Sequence, residues 1–114
     1  MPHDDQLRLR HMLDHGQKAI DLASGRTRQD LNKDRLFQLG LTRLVEIVGE
    51  AAYQLSPELR QRHPQVPWPA IVSMRHRLIH GYDFVDYDII WQTVQEDLPV
   101  LVAELRRILG TEAE

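Results

Sequence analysis

The segment from Arg75 to Tyr82 concentrates two arginines, two histidines and a tyrosine in eight residues, Arg-His-Arg-Leu-Ile-His-Gly-Tyr. Arginine offers a permanent charge and a planar fork of donors that suits a phosphate group. Histidine can take or give a proton near neutral pH. A cation beside a proton carrier is what cleaving or binding a phosphodiester requires. This segment is therefore the candidate functional centre, and most of the remaining sequence is interpreted as its scaffold.

The spacing within the segment allows a site but does not require one. Arg75 and His80 are five residues apart, and on a regular helix their side chains would lie about 140° apart around the axis. Gly81 frees the backbone at the predicted helix end, so His80 and Tyr82 can turn toward one cleft. Alternatively, the arginines are solvated and His80 interacts only with the helix dipole. His76 and His80 also have the i, i+4 spacing of paired metal ligands, but no clear third ligand is present, and we predict no metal site.

A carboxylate on the predicted central helix could join this site. Glu50 lies between small residues in the run 49–52, Gly-Glu-Ala-Ala. It can pair with Arg75 or Arg77, or it can be solvated like other surface glutamates. Trp68 and Trp91 are interpreted as core or interface anchors rather than as platforms for stacking bases. The other histidines are scattered and are interpreted as surface residues: His3, His11, His15 and His63.

Apolar residues recur at helical spacing along most of the chain, and no segment alternates convincingly as a strand does. We predict an all-α fold, an antiparallel bundle of four main helices plus a short helix, in a single domain over residues 1–114. The predicted helices span about 4–24, 27–55, 57–63, 69–79 and 87–109. Thr27 and Asp30 are predicted to form a capping box and Ser56 to cap the short helix. Pro99 is predicted to kink or break the last helix and Gly110 to end it.

The composition narrows the function classes. The chain has no cysteine, which excludes a disulfide scaffold, a thiolate metal site and a thiol nucleophile. Its net charge of −3 gives no broad basic field, so any contact with nucleic acid must be local. No apolar stretch approaches the ~20 residues that a membrane span needs, and the start does not resemble a signal peptide. We therefore expect a soluble, cytoplasmic protein.

The pattern Arg75-x4-His80-Gly81-Tyr82 resembles the R-x4-H-x-Y signature of HEPN-domain toxins of the HepT type. The stretch 44–52, Leu-Val-Glu-Ile-Val-Gly-Glu-Ala-Ala, is similar to the family's second-helix sequence ending in Gly-Glu-Ala. Residues 68–74 lie where the family has a tryptophan-containing lead-in to the motif helix. The resemblance covers about residues 4–109. After the motif arginine the family usually has a polar residue, often asparagine; here it is His76, which either orients the site or takes part in it.

The resemblance implies an HEPN-like bundle that forms a homodimer, with the motif helices of both protomers lining one cleft. It implies metal-independent cleavage of RNA without a cofactor, with Arg75 and His80 as the catalytic residues. The supporting residues would be His76, Arg77 and Glu50. It also implies a partner, an MntA-like nucleotidyltransferase antitoxin that transfers AMP to Tyr82 and so neutralises the ribonuclease.

Two other functions are open at this point. One is a non-catalytic dimeric HEPN module that binds a nucleotide or a nucleotidyltransferase partner, with Arg75 holding phosphate only. The negative net charge and the lack of a broad basic face favour it. The other is a helical bundle that binds a metal ion through His76 and His80.

Overall fold

The computed structural model describes residues 3–74, 76 and 84–112, with only the backbone of His3 and Glu112. These residues form α1 (His3–Ala23), α2 (Asp30–Lys33), α3 (Arg35–Tyr53), α4 (Pro57–Arg62), α5 (Trp68–Val72), α6 (Tyr87–Gln92) and α7 (Leu98–Glu112). A π-helical segment, Thr93–Asp97, joins α6 directly to α7. No strand occurs in this part of the chain, and the predicted all-α fold is confirmed.

Helix α1 is central to the packing, because it contacts both α3 and α7 over most of its length. The core between these helices consists of fully or almost fully buried apolar side chains, among them Leu9, Met12, Ala19, Leu41, Val45, Val48, Leu98, Leu105 and Ile108. Burying one leucine-sized side chain contributes about 1.5–3 kcal/mol, so this core is the main source of stability. The backbones of α1 and α7 approach closely at Gly16, where an added Cβ would lie 3.1 Å from Cγ2 of Val102.

The connection from α1 to α3 confirms the predicted capping box and corrects one predicted helix. Gly25 follows α1 with a φ of 75°, as a C-terminal cap glycine should. The capping box is formed: Thr27 N–H donates to Asp30 Oδ2 at 2.7 Å, and Asp30 N–H donates to Thr27 Oγ1 at 3.3 Å. The predicted single helix over 27–55 is wrong, because the backbone of Asp34 is extended (φ −107°, ψ 105°). The carboxylate of Asp34 accepts from the Phe37 N–H at 3.1 Å and so begins a new helix.

Arg26 holds this connection together from the end of α1. Its guanidinium donates to Asp34 Oδ2 at 2.9 Å and lies 3.5 Å from Asp30 Oδ2. It also stacks over the ring of Phe37, 4.2 Å from the centroid. One cation therefore ties the capping residues of both α2 and α3 to the core.

The short helix α4 is capped as predicted, and the cap is fixed from α1. Ser56 Oγ accepts from the Leu59 N–H at 3.2 Å. The side chain of Asp5, only 3% exposed, accepts from Ser56 N–H at 2.9 Å and from the Ser56 hydroxyl at 2.5 Å. The first turn of α1 thus determines where α4 starts.

The sequence predicts a kink or break in the last helix at Pro99. The structure has a wide π-helical turn there rather than a break. Proline lacks an N–H, and immediately before it the Leu98 N–H bonds to the Thr93 carbonyl five residues back. The apolar side chains that recur at helical spacing along this segment are buried: Val94, Leu98, Leu101, Leu105 and Ile108. Gly110 does not end the helix, which continues to Glu112. It lacks a positive φ and has open space around it, so nothing there forces a C-terminal cap.

The predicted third main helix is described only in part. Helix α5 ends at Val72, Ser73 adopts a turn, and Met74 and His76 are again helical. The other predicted residues, Arg75 and 77–79, lie outside the described residues. None of the helices in the described ranges is long and apolar enough to cross a membrane.

Candidate functional site

The structure describes some of the predicted site residues and not others. Arg75 and His80, predicted as catalytic, lie outside the described residues, and so do Arg77 and the predicted modification site Tyr82. His76 and Glu50 are described. The structure therefore locates only these two of the predicted site residues relative to the bundle.

His76 and Glu50 line one cavity of about 300 Å³, which we call the His76 cavity. Its other walls are Gly49, Tyr53 and Gln54 from the end of α3 and Val72 from the end of α5. His76 and Glu50 are both exposed. The predicted pairing of Glu50 with Arg75 or Arg77 stays a prediction, because both arginines lie outside the described residues.

Buried side chains on either side of Ser73 fix the part of the chain that precedes Arg75. Trp68, Ile71 and Met74 are 5%, 5% and 1% exposed, respectively. The indole N–H of Trp68 donates to the His63 carbonyl at 2.9 Å, which satisfies its polar group inside the core. Trp68 is therefore a core anchor, as predicted, and the residue preceding Arg75 is fixed by packing against the bundle.

A second concavity of about 390 Å³ adjoins the first, and we call it the α1–α3 groove. Its lining from α1 is basic or titratable: Arg8, His11 and His15. From α3 it is lined by Arg43, Ile47, Glu50, Ala51 and Gln54. Glu50 and Gln54 belong to both concavities, so the groove and the His76 cavity are neighbours along the surface of α3.

Sequence reasoning treated His11 and His15 as scattered surface residues and did not find this groove. A signal was present within α1, because Arg8, His11 and His15 follow the i, i+3, i+7 spacing of one helical face. Arg43 is 28 residues from His15 in sequence, and only the antiparallel contact of α1 with α3 brings the two sides together.

His15 and Asp14, on α1 at the groove, each make a polar contact within α1. His15 Nδ1 lies 2.8 Å from the His11 carbonyl, so Nδ1 donates a hydrogen bond to that carbonyl. Lys18, 3.0 Å from Asp14, donates a hydrogen bond that holds the pKa of Asp14 below its ordinary value, with the nearby charge of His15 acting in the same direction. The carboxylate of Asp14 is therefore already paired on α1.

The described residues contain no group of three or more His, Asp or Glu side chains that could hold a metal ion. The second member of the His76/His80 pair lies outside them. The metal-binding alternative therefore stays a prediction.

Comparison with known proteins gives consistent matches. The model of the family described as "Ribonuclease HepT-like" matches residues 12–108. The chain is 38% identical over 104 residues to "Putative RNase TTE0752" from Caldanaerobacter subterraneus subsp. tengcongensis, covering 91% of this chain and 93% of that protein. It is 35% identical over 95 residues to "Probable ribonuclease HepT" from Thermococcus cleftensis, covering 80% and 86%. No solved structure matches the chain. With a family match across most of its length and relatives aligned over nearly their full lengths, the chain belongs to the HepT-like ribonuclease family.

Proposed function

We propose that the chain is a metal-independent endoribonuclease toxin of a toxin–antitoxin pair. The observation that carries this proposal is the family match over residues 12–108, which spans Arg75, His80 and Tyr82. The His76 cavity supports it, because an imidazole, that of His76, and a carboxylate, that of Glu50, line the same cavity. A protein of net charge −3 is also better suited to transient contact with RNA than to storing it.

In the proposed reaction the ribose 2′-oxygen attacks the adjacent phosphorus while the bond from phosphorus to the 5′-oxygen breaks. A histidine base, His80, removes the 2′-hydroxyl proton, and a histidine acid gives a proton to the departing 5′-oxygen. Arg75 stabilises the charge that builds up on the phosphoryl oxygens. No water is consumed, and the products are a 2′,3′-cyclic phosphate and a 5′-hydroxyl.

A homodimer, which the resemblance implies, is part of this proposal and suits its chemistry. One protomer supplies a single motif histidine and a single motif arginine, whereas base and acid are needed on opposite sides of the phosphate. Two protomers that share one cleft would supply two of each. Glu50 would position Arg75 or Arg77 from the wall of the cavity, and His76 would orient the neighbouring groups.

Neutralisation is proposed to occur at Tyr82. In the transfer catalysed by an MntA-like nucleotidyltransferase, the Tyr82 oxygen attacks the α-phosphorus of ATP and pyrophosphate leaves. The attached AMP carries a negative charge next to Arg75 and His80, where it competes with the substrate phosphate for the arginine. Incubating the two proteins with ATP should add one or more AMP groups to the intact mass, and Tyr82→Phe should add none.

Cleavage of single-stranded RNA in EDTA by the purified full-length chain tests the central proposal. Loss of a general acid–base group should lower the rate by about 10²–10⁴-fold in His80→Ala, and Arg75→Ala should be similarly impaired. Arg107→Ala is a matched control, because its side chain is 70% exposed and pairs with Glu104 on α7; it should cleave like wild type. Product 5′ ends should accept phosphate from a polynucleotide kinase without prior dephosphorylation.

Equal cleavage by wild type, His80→Ala and Arg75→Ala would overturn the assignment of the site. Nucleotide binding without any RNA cleavage would instead select the non-catalytic dimeric module. Far-UV circular dichroism of each variant distinguishes lost chemistry from lost folding.

A further inference from the structure

The α1–α3 groove is more basic than the rest of the protein. The chain as a whole has a net charge of −3, but the groove is lined by two arginines and two histidines against one carboxylate, Glu50. Arg8, His11 and His15 extend along α1 over about 10 Å. That length equals about three nucleotide steps at a stacked rise of about 3.4 Å.

The fixed cations of the groove are weakly neutralised by the protein. Arg43 is exposed. Within the described part of the chain its side chain makes no ion pair or hydrogen bond. Arg8 lies 4.0 Å from Asp4, whose side chain is 75% exposed, so that pair contributes little and is easily exchanged. Both guanidinium groups can therefore bind an anion without giving up a strong internal partner.

The acids nearest to the groove are either paired on α1 or lie at one end of the groove. Asp14, the acid 3.9 Å from His15, is also paired with Lys18 at 3.0 Å. The remaining acid, Glu50, lies at the end that the groove shares with the His76 cavity.

We propose that the α1–α3 groove binds phosphates of single-stranded RNA that flank the bond cut at the Arg75–His80 site. The two concavities share Glu50 and Gln54, so a strand leaving the cavity beside the motif enters the groove without crossing the protein. Arg43 and Arg8 then contact backbone phosphates, which positions the strand without reading its sequence. This inference rests on the proposed ribonuclease function and adds a substrate-binding surface to it.

Arg43 provides the sharpest test, because it is exposed and lies outside the proposed catalytic machinery. Among nucleic-acid-binding proteins, each phosphate contact accounts for about threefold in affinity between 50 and 200 mM salt. Between 50 and 200 mM salt, Arg43→Gln should therefore lose about threefold less affinity for a single-stranded RNA of about 20 nucleotides than wild type does. Its KM at low salt should rise, and that of Arg43→Glu should rise further because the introduced carboxylate repels phosphate. The kcat should stay within twofold, and the salt dependence of binding should weaken.

Two controls separate the groove from the catalytic site. A dinucleotide substrate is too short to reach the groove, so its cleavage by Arg43→Glu should match wild type. Arg107→Glu makes the same charge change on exposed α7 and should leave cleavage of the long RNA unchanged. If Arg43→Glu unfolds, the neutral variant Arg43→Gln decides the matter.

Binding of a non-cleavable RNA, with 2′-deoxyribose at every position that is cut, distinguishes the failure of this inference from the failure of the proposed function. If no RNA is cleaved but fluorescence anisotropy shows weaker binding for Arg43→Glu than for Arg107→Glu, the groove is retained and the nuclease function is lost. If wild type cleaves RNA while Arg43→Glu binds and cleaves the long substrate like wild type, the groove proposal is overturned.

Discussion

The close approach of α1 and α7 at Gly16 leads to a quantitative prediction about stability. In Gly16→Ala the new Cβ would lie 3.1 Å from Cγ2 of Val102, closer than an ordinary van der Waals contact. Val102 is a buried, β-branched residue with little freedom to change its χ1 angle. The matched control is Gly110→Ala, which lies in α7 and whose Cβ would meet nothing within 4 Å.

The expected change in unfolding free energy is the sum of two opposing contributions. Replacing a helical glycine by alanine stabilises by up to about 1 kcal/mol, and this term acts in both variants. Overpacking a well-filled contact costs about 1–3 kcal/mol, and this term acts only at Gly16. We therefore expect Gly110→Ala to be stabilised by about 0.5–1 kcal/mol and Gly16→Ala to be destabilised by about 0–2 kcal/mol. At about 4 °C per kcal/mol, the two Tm values should differ by roughly 4–12 °C.

Urea unfolding, followed by far-UV circular dichroism and tryptophan fluorescence, measures the difference in unfolding free energy between the two variants. Thermal unfolding measures the difference in Tm. The curves should be recorded at several protein concentrations, because self-association would add to the apparent stability. A Gly16→Ala protein stabilised as much as Gly110→Ala would refute the inference that α1 and α7 are in tight contact at this point.

Two further predictions concern the caps. Ser56→Ala removes the α4 cap and a donor to the buried Asp5, so it should lower the unfolding free energy by about 1–2 kcal/mol; exposed Ser24→Ala should stay near wild type in the same urea titration. The hydrogen bond from Arg26 is the main cause of the lowered pKa of Asp34, followed by that from Phe37 N–H. The unfolded state therefore binds more protons, and the contribution of Asp34 is complete above its ordinary pKa of 3.8 and is lost as pH falls through the lowered pKa. Asp34→Asn keeps a cap but should flatten the acid side of a plot of urea midpoint against pH; an unchanged slope would contradict this assignment.

Much of the fold could be predicted because its determinants are local. The apolar spacing of α3, the capping box at Thr27 and the Ser56-Pro57 start are each specified within a few residues. The break at Asp34 has a local signal too, a capping residue three positions before the buried Phe37. The apolar period runs through it, however, and Arg26, which stabilises the break, comes from a different helix end.

The candidate site could be predicted only where one segment carries it. The Arg75–Tyr82 motif is contiguous and can be recognised without the fold, and Glu50 is singled out from the short run 49–52. The α1–α3 groove joins side chains from two helices that meet through the packing of the core, so neither helix alone reveals it. The helix end predicted at Gly110 is wrong for a different reason. A glycine permits a helix to stop but does not require it.

The π-helical segment Thr93–Asp97 has a consequence for how chains of this type can vary in length. A single wide turn accommodates one residue more than an α-helix of the same rise. Loss of one codon at exposed Gln95 or Glu96 would tighten the turn while the halves before and after it keep the same buried faces. Single-residue deletions should therefore be tolerated here during divergence, whereas the same deletion in the middle of α3 would rotate half of its apolar face into solvent.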